Sequence, residues 1–323
     1  MRSIFVLFAL AAAACSASGT SARQCSRGSD CPTNVCLDDG TCSQAGGAGG
    51  ASGAAGGVGA AGSAGDTGAG GTSAGAAGTA AGGGAAGSSA ACLPNHDGTL
   101  TMAETPLGAG LSAKFRVATS TTLSTAGVKQ PDGTSAWDFS AMIAQDHDSI
   151  IEAKAITGQW YAAQFAGASY AMRLSDASDL LGVFEITDSS LLLRGVVSPT
   201  SGLTQTELTY SPPVTVLQFP LKVGASWTSQ STITGTASGV FSTYIENYQN
   251  KVDMAGVAKT PFATFPVLRT SVVLTRTVGV VPTVTRTYLF SSECFGTVAK
   301  MVSNPDELGT EFTNLSELSR ISP

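Results

Sequence analysis

The chain has 323 residues, of which 12% are charged and 43% hydrophobic, and its formal net charge is −6. Nucleic-acid binding needs a basic face that displaces counterions, and the sequence contains no cluster of Lys or Arg. The composition therefore excludes a nucleic-acid partner, and the low charge with many Gly, Ala, Ser and Thr residues favours an exported protein over a cytosolic enzyme.

The first 14 residues have the pattern of an export signal. A positive residue, Arg2, precedes an unbroken apolar run from Ile4 to Ala14. This run of about eleven residues has the length of a signal-peptide core and is too short to span a bilayer as a helix. The sequence therefore predicts export, with residues 1–14 as the signal peptide.

The end of this run, Ala12-Ala13-Ala14-Cys15, resembles the lipobox of bacterial lipoproteins, in which Leu is commonest at the position of Ala12. The resemblance implies cleavage before Cys15 and attachment of lipid to it. Two acyl chains hold a protein stably on a membrane. We therefore expect a lipid-anchored protein at the outer membrane or cell surface. The alternative is a secreted protein whose ordinary signal is cut after Ala17 or Ala22.

Four cysteines lie close together in residues 15–44, and they are Cys25, Cys31, Cys36 and Cys42. The chain has seven cysteines, and lipid attachment to one of them leaves an even number for disulfides. Four or five residues separate neighbours and no His lies nearby, which favours disulfides over zinc. Four cysteines allow three disulfide connectivities, and of these we expect Cys25–Cys36 with Cys31–Cys42. The segment resembles short Cys-rich modules of exported bacterial proteins. Its role is either that of a spacer near the anchor or that of a small recognition module.

Residues 45–91 are almost entirely Gly, Ala, Ser and Thr, and Asp66 is their only charge. Such a segment cannot form a core, so it is predicted to be a disordered linker with a root-mean-square span of about 35–40 Å. Residues 71–75 match the Gly-x-Ser-x-Gly pattern of a nucleophile elbow. An elbow needs a preceding strand and a following helix, so we interpret this match as chance.

Residues 92–323 regain aromatic and β-branched side chains and are long enough for one domain. Short runs of these side chains, bounded by Gly, Pro, Asp or Ser, predict a mainly β fold, either an antiparallel sandwich or a strongly curved, half-barrel sheet. Ser140–Gln145 and Asp176–Leu181 are each predicted to form one or two helical turns. The twelve predicted strands are Lys114–Ala118, Ile150–Ile156, Trp160–Phe165, Ser169–Leu174, Gly182–Ile186, Leu191–Val197, Val214–Phe219, Ser226–Ile233, Phe241–Val252, Val267–Arg276, Val284–Phe290 and Thr297–Val302.

Cys92 and Cys294 are the two thiols that remain, and we expect them to form a disulfide. This bond closes a loop of about 200 residues, for which the chain-entropy model gives an upper figure of about 5 kcal/mol. It would fix the end of the linker to the last part of the sheet.

Several segments of this domain resemble landmarks of uncharacterised secreted β-domains of bacteria. They are Gly133–Ser140, Phe219–Trp227, Thr264–Arg269, Tyr288–Phe290 and Gly296–Ala299. The likeness covers about residues 105–303 and implies a fold but no activity. The lipid-binding half-barrel of lipoprotein carriers is a looser resemblance.

The same landmarks have a structural interpretation. Pro220 is predicted to end a strand, and Gly224 to form a turn with positive φ that lets Trp227 cover the core. Asp138 is predicted to cap a turn at Ser140. The alternative is an aromatic platform of Trp137, Trp160 and Trp227 that binds a sugar or peptide.

The groups that catalysis needs are few. His96 lies in a turn, and His147 lies between Asp146 and Asp148. Adjacent residues on a strand point to opposite faces, so these three side chains cannot meet at one metal ion there. We interpret the tripeptide as a polar turn before a strand, and we expect no catalytic residue, metal or cofactor.

Three functions remain. The first is a surface-tethered, non-enzymatic lipoprotein whose β-domain binds a protein, glycan or lipid partner or contributes to the envelope. The second is a carrier of lipid or another small ligand, which predicts an apolar cavity inside the curved sheet. The third is an exported hydrolase, which predicts that activity depends on His147.

Overall fold

The computed structural model describes residues 92–323. The predicted signal peptide (1–14), the segment 15–44 and the linker (45–91) lie outside the described residues. So do lipid attachment at Cys15 and the disulfides Cys25–Cys36 and Cys31–Cys42. Within residues 92–323, no helix is both long and apolar enough to cross a bilayer.

The described region contains sixteen β-strands and a short 3-10 helix at Met102–Glu104. The strands are β1 (Thr99–Leu100), β2 (Ser112–Thr122), β3 (Val128–Lys129), β4 (Ser135–Asp138), β5 (His147–Glu152), β6 (Tyr170–Ser175), β7 (Ser178–Ile186), β8 (Ser190–Val197), β9 (Glu207–Gln218), β10 (Leu221–Lys222), β11 (Ser226–Ala237), β12 (Val240–Lys259), β13 (Thr264–Val278), β14 (Val281–Ser292), β15 (Gly296–Ser303) and β16 (Asn314–Ile321). The prediction of a mainly β fold is confirmed.

Twelve of these strands form one antiparallel sheet in the order β5-β2-β16-β15-β14-β13-β12-β11-β9-β8-β7-β6. The sheet curves until its edge strands meet. At this contact Lys154, just after β5, exchanges two backbone hydrogen bonds of 2.7 and 2.9 Å with Ala171 of β6. Bulges, such as the one between Val252 and Met254, add to the twist and curvature of the sheet. The sheet is therefore barrel-like and nearly closed, which confirms the strongly curved alternative.

Four short strands lie beside this sheet. β1 pairs with β10, β3 pairs with β4, and β4 runs parallel to the end of β12. A Cβ atom at Gly256 of β12 would lie 1.9 Å from the carbonyl oxygen of Ser135. The close approach of β4 therefore requires glycine at this position.

The alternation of side chains along the strands produces one inner and two outer apolar clusters. The inner cluster includes Tyr170, Phe184, Trp227 and Leu268. One outer cluster includes Trp137, Phe139, Phe290 and Leu318, and the other includes Tyr161, Phe165, Ala171 and Val183. The segments between β3 and β5 and between β5 and β6 therefore cover the outside of the sheet, while its inner face surrounds a separate core.

Eleven of the twelve predicted strands overlap observed strands, and Trp160–Phe165 is wrong because it forms turns. The predicted helical turns at Ser140–Gln145 and Asp176–Leu181 are also wrong. In the first segment, aspartate side chains accept backbone N–H groups of Ser140 and Ile143 at 2.9 and 2.8 Å, which favours turns over helix. In the second, Asp176 and Ala177 form a tight turn and the remaining residues begin β7.

Two local predictions are confirmed. Asp138 accepts hydrogen bonds from the backbone and hydroxyl of Ser140, and Gly224 has a φ of +93°. Trp227 is buried in the inner cluster, as the turn at Gly224 led us to expect.

Candidate functional site

The inner face of the curved sheet surrounds a cavity of about 620 Å³. Alternate residues of neighbouring strands line it, since Phe115 and Val117 of β2 lie directly opposite Ile321 and Ser319 of β16. A small-ligand carrier is the hypothesis that predicts a cavity at this place.

The opposite wall of the cavity is apolar and aromatic. Leu191 of β8 and Leu217 of β9 line it beside Tyr170 and Phe184, whose rings stack with centroids 5.3 Å apart. Burial raises the pKa of Tyr170, so its hydroxyl remains neutral at physiological pH. Leu289 of β14 adds a further apolar side chain. The walls therefore favour the apolar body of a ligand.

A polar network occupies one part of the lining, around Glu317 of β16. Its carboxylate lies 2.6 Å from Nζ of Lys300 and accepts hydrogen bonds from the hydroxyls of Ser175 and Ser319 at 2.7 and 2.9 Å. Burial alone would raise the pKa of Glu317, but the charge and hydrogen bond of Lys300 outweigh burial and lower this pKa. The carboxylate is thus ionised and paired, and it links the β6–β7 hairpin to β15 and β16.

The same hairpin also joins the two edges of the sheet. Asp176 lies 2.6 Å from Nε2 of His147 on β5 and accepts a hydrogen bond of 2.6 Å from Arg173, which also donates to Ser149 of β5 at 3.0 Å. These side chains continue the contact that the Lys154 bridge begins. We call this contact between the edge strands β5 and β6 the seam, and His147 is one of the side chains that hold it together.

The tripeptide of residues 146–148 separates into three different contacts. Asp146 pairs with the fully buried Arg320 at 2.7 Å, His147 with Asp176, and Asp148 lies 3.6 Å from Arg116. The other ring nitrogen of His147, Nδ1, lies 3.4 Å from the carbonyl oxygen of Gln145 and contacts no hydroxyl among residues 92–323. In this part of the chain, no group of three or more His, Cys, Asp or Glu side chains is placed to hold a metal ion.

The seam is expected to respond to pH. The hydrogen bond that His147 donates to Asp176 raises the pKa of His147 above 6.5, so the stability that this contact contributes is complete below pH 6.5 and is lost as the pH rises through the raised pKa. Since the imidazole is 47% exposed, we expect less than about 1 kcal/mol. Urea denaturation of wild type and His147→Gln should differ more at low than at high pH. An equal difference at both would contradict this role.

One end of the cavity has exposed apolar side chains. Leu111, Phe262 and Phe295 line the cavity and are 44%, 49% and 44% exposed, and we call these three residues the rim. They lie at the start of β2 and in the β12–β13 and β14–β15 turns, which are at the same end of the sheet. Leu174 of β6 is the fourth exposed large apolar residue of the lining, so three of the four lie at this end, and we infer that the cavity opens here.

The predicted disulfide between Cys92 and Cys294 is confirmed, and it lies at the same end. Cys294 lines the cavity directly before Phe295, and its backbone N–H donates to the carbonyl of Glu104 at 2.7 Å. Because residues 105–108 also line the cavity, the disulfide and this hydrogen bond hold part of the cavity wall in place.

The three tryptophans belong to three different clusters, so the alternative of a shared aromatic platform is wrong. Each indole N–H donates to a backbone carbonyl: Trp137 to Thr125, Trp160 to Ser198 and Trp227 to Thr215. These rings are placed by packing and hydrogen bonding.

His96 is exposed in a turn with a φ of 55°.

Sequence reasoning missed the residues that line the cavity. Ser291 of β14 is 3% exposed, and its hydroxyl has no hydrogen-bond partner among residues 92–323. In the sequence, Ser291 is two residues after Leu289, so alternation places both side chains on one face of β14. That face can be assigned to a cavity only when the order of the strands in the sheet is known.

Comparison with known proteins identifies no relative. No family model, curated protein or solved structure matches this chain. The resemblance of residues 105–303 to secreted bacterial β-domains thus stays a prediction.

Proposed function

We propose that this chain is an exported, non-enzymatic lipoprotein whose β-domain binds a small, largely apolar ligand inside the curved sheet. The cavity of about 620 Å³ is the observation that supports this most strongly. Sites for small molecules commonly measure about 300–1,000 Å³ and are lined mainly by apolar side chains. A domain with a purely structural role in the envelope would be expected to fill its interior with side chains, as close-packed cores do.

The lining indicates the chemistry of the ligand. Its apolar walls suit an acyl chain or a body of similar polarity, and the charges of Lys300 and Glu317 are already engaged with each other. The proposed ligand class is therefore a lipid or another apolar molecule with few polar groups.

The location of the protein is part of this proposal. The apolar run up to Ala14 and the lipobox-like Cys15 support export and a lipid anchor at the outer membrane or cell surface. A linker of residues 45–91 would give the domain reach from that anchor. In this arrangement the carrier stays on one membrane and takes up its ligand locally.

Filling the cavity is expected to abolish binding. Ala113 of β2 lines the cavity and is half-buried, so Ala113→Phe places a ring in the space that the ligand needs. We expect the Kd for cis-parinaric acid, a fluorescent fatty acid, to rise about tenfold or more, as for the loss of one well-buried apolar contact surface.

The matched control is Thr122→Phe, an exposed position on the same strand that does not line the cavity. It should bind cis-parinaric acid as the wild type does. Binding that is absent in the wild type, or equally strong in Ala113→Phe, would contradict the proposed function.

A further inference from the structure

The rim is a fixed apolar surface at the opening of the cavity. Phe262 and Phe295 are half-exposed, but both rings contact the buried Phe265, with centroid distances of 6.3 and 4.8 Å. This packing holds the two rings at the surface. Leu111, from the start of β2, completes the rim at the same end of the sheet.

The chain outside the described residues joins the domain beside the rim. Residues 1–91 end at Cys92, whose disulfide partner Cys294 directly precedes Phe295. The backbone N–H groups of Asn95 and His96 donate to the carboxylate of Glu293 at 2.8 and 3.1 Å, which fixes the same end further. A tether that starts at a membrane therefore meets the domain at the opening of its cavity.

The rim has no positive charge in its own turns. Neither residues 105–111 nor residues 260–264 and 293–297 contain Lys or Arg. The nearby carboxylate of Glu293 is bound by the two backbone N–H groups, and Glu104 accepts a hydrogen bond of 2.8 Å from the side chain of Asn95. The surface therefore suits a neutral apolar partner better than an anionic one.

We propose that the rim docks the domain onto the surface of a lipid bilayer, with the cavity opening toward the membrane. The rim residues are at once exposed and part of the cavity lining, so an apolar molecule can pass from bilayer to cavity without crossing water. The inference rests on the proposed function for the identity of the molecule that passes. A protein surface is the competing partner, and binding to pure lipid vesicles separates the two.

The test measures binding of the chain Ser16–Pro323 to phosphatidylcholine vesicles by co-sedimentation. This chain lacks the acylated cysteine, so only its own side chains can hold the vesicle. In the double variant Phe262→Ser and Phe295→Ser, we expect the partition coefficient to fall about tenfold or more. Because the attraction is apolar, raising the salt concentration should leave wild-type binding unchanged.

The control changes two exposed apolar residues at the opposite end of the sheet. Val280 and Val281 lie in and beside the β13–β14 turn and are 93% and 64% exposed. Val280→Ser with Val281→Ser should bind vesicles as the wild type does. Circular dichroism checks the fold of each variant, and Leu111→Ser replaces the phenylalanine pair if that pair unfolds.

Three results would overturn docking through the rim: a wild type that does not sediment with vesicles, a rim variant that sediments equally well, or a control that loses as much. Binding of cis-parinaric acid, measured on the same samples, keeps the two proposals separate. Parinaric acid binding without vesicle binding defeats the docking proposal alone and favours a protein partner. Vesicle binding through the rim without parinaric acid binding defeats the proposed function alone.

Discussion

Replacing Arg269 with Met is expected to lower the free energy of unfolding by about 3–5 kcal/mol, as for a buried ion pair that loses one partner. Arg269 of β13 is fully buried and donates to Asp253 at 2.7 and 3.0 Å, to Glu311 at 2.7 Å and to the carbonyl of Thr125 at 2.7 Å. Its guanidinium also lies 4.0 Å from the ring centroid of Tyr288. One side chain thus fastens two outer segments to the sheet.

The charges of this cluster are held in their ionised forms. Burial acts to lower the pKa of Arg269, but Asp253 and Glu311 outweigh it and raise the pKa. Burial alone would raise the pKa of Glu311, yet the hydrogen bonds from Arg269 and Thr125 lower it below 4.5. The stability that Glu311 contributes is therefore present above pH 4.5 and is lost as the pH falls through the lowered pKa.

Urea denaturation at neutral pH, followed by tryptophan fluorescence, measures the free energy of unfolding that the Arg269→Met variant loses. The control is Arg194→Met, because Arg194 pairs with Glu185 on the surface, where the two side chains are 30% and 28% exposed. We expect that control to cost less than about 1 kcal/mol. An Arg269→Met variant no less stable than Arg194→Met would show that the buried cluster does not fasten the outer segments.

Removing the disulfide is the second change with a large expected effect. The double variant Cys92→Ser and Cys294→Ser opens a loop with a sequence separation of 202 residues. The chain-entropy model gives about 5 kcal/mol for such a loop, and removal of native disulfides typically costs about 2–5 kcal/mol. Because Cys294 lines the cavity, we also expect weaker binding of cis-parinaric acid.

Denaturation with and without dithiothreitol provides the control. The reductant should destabilise the wild-type domain about as much as the double substitution does, and it should have no further effect on the variant. A loss below about 1 kcal/mol in the double variant would mean that hydrogen bonds such as the one from Cys294 to Glu104 hold this end of the domain without the sulfur bridge.

The sequence pattern identified most strands because alternation and β-branched side chains are local signals. It missed β16, in which Glu317 and Arg320 are buried. Buried charges break the usual pattern, and their partners, Lys300 and Asp146, lie outside the strand. Non-local pairing of this kind is not readable from a single segment.

The strand prediction for the aromatic run Trp160–Phe165 is wrong for the opposite reason. It has the composition of a strand, but Gly158 and Gly167, both with positive φ, bracket it and allow a series of turns. Its rings pack on the outside of β6 to β8. Composition indicates burial at such a place, whereas the backbone conformation depends on the flanking glycines.

The cavity was predictable as an alternative, but its lining was not. Phe115, Leu191 and Leu289 come from strands that are far apart in the sequence and meet only because the sheet closes on itself. Alternation assigns each of them to one face of its own strand. Which faces turn inward depends on strand order, which local patterns do not determine.

The most direct test of a ligand site inside the sheet is a crystal of the chain Ser16–Pro323 soaked with a bromine-labelled fatty acid. The anomalous signal of bromine locates the ligand without reference to any variant. We predict one peak inside the curved sheet, between Phe115 of β2 and Leu289 of β14. Bromine found only on the outer surface, or an interior filled by rearranged side chains, would contradict the proposed function.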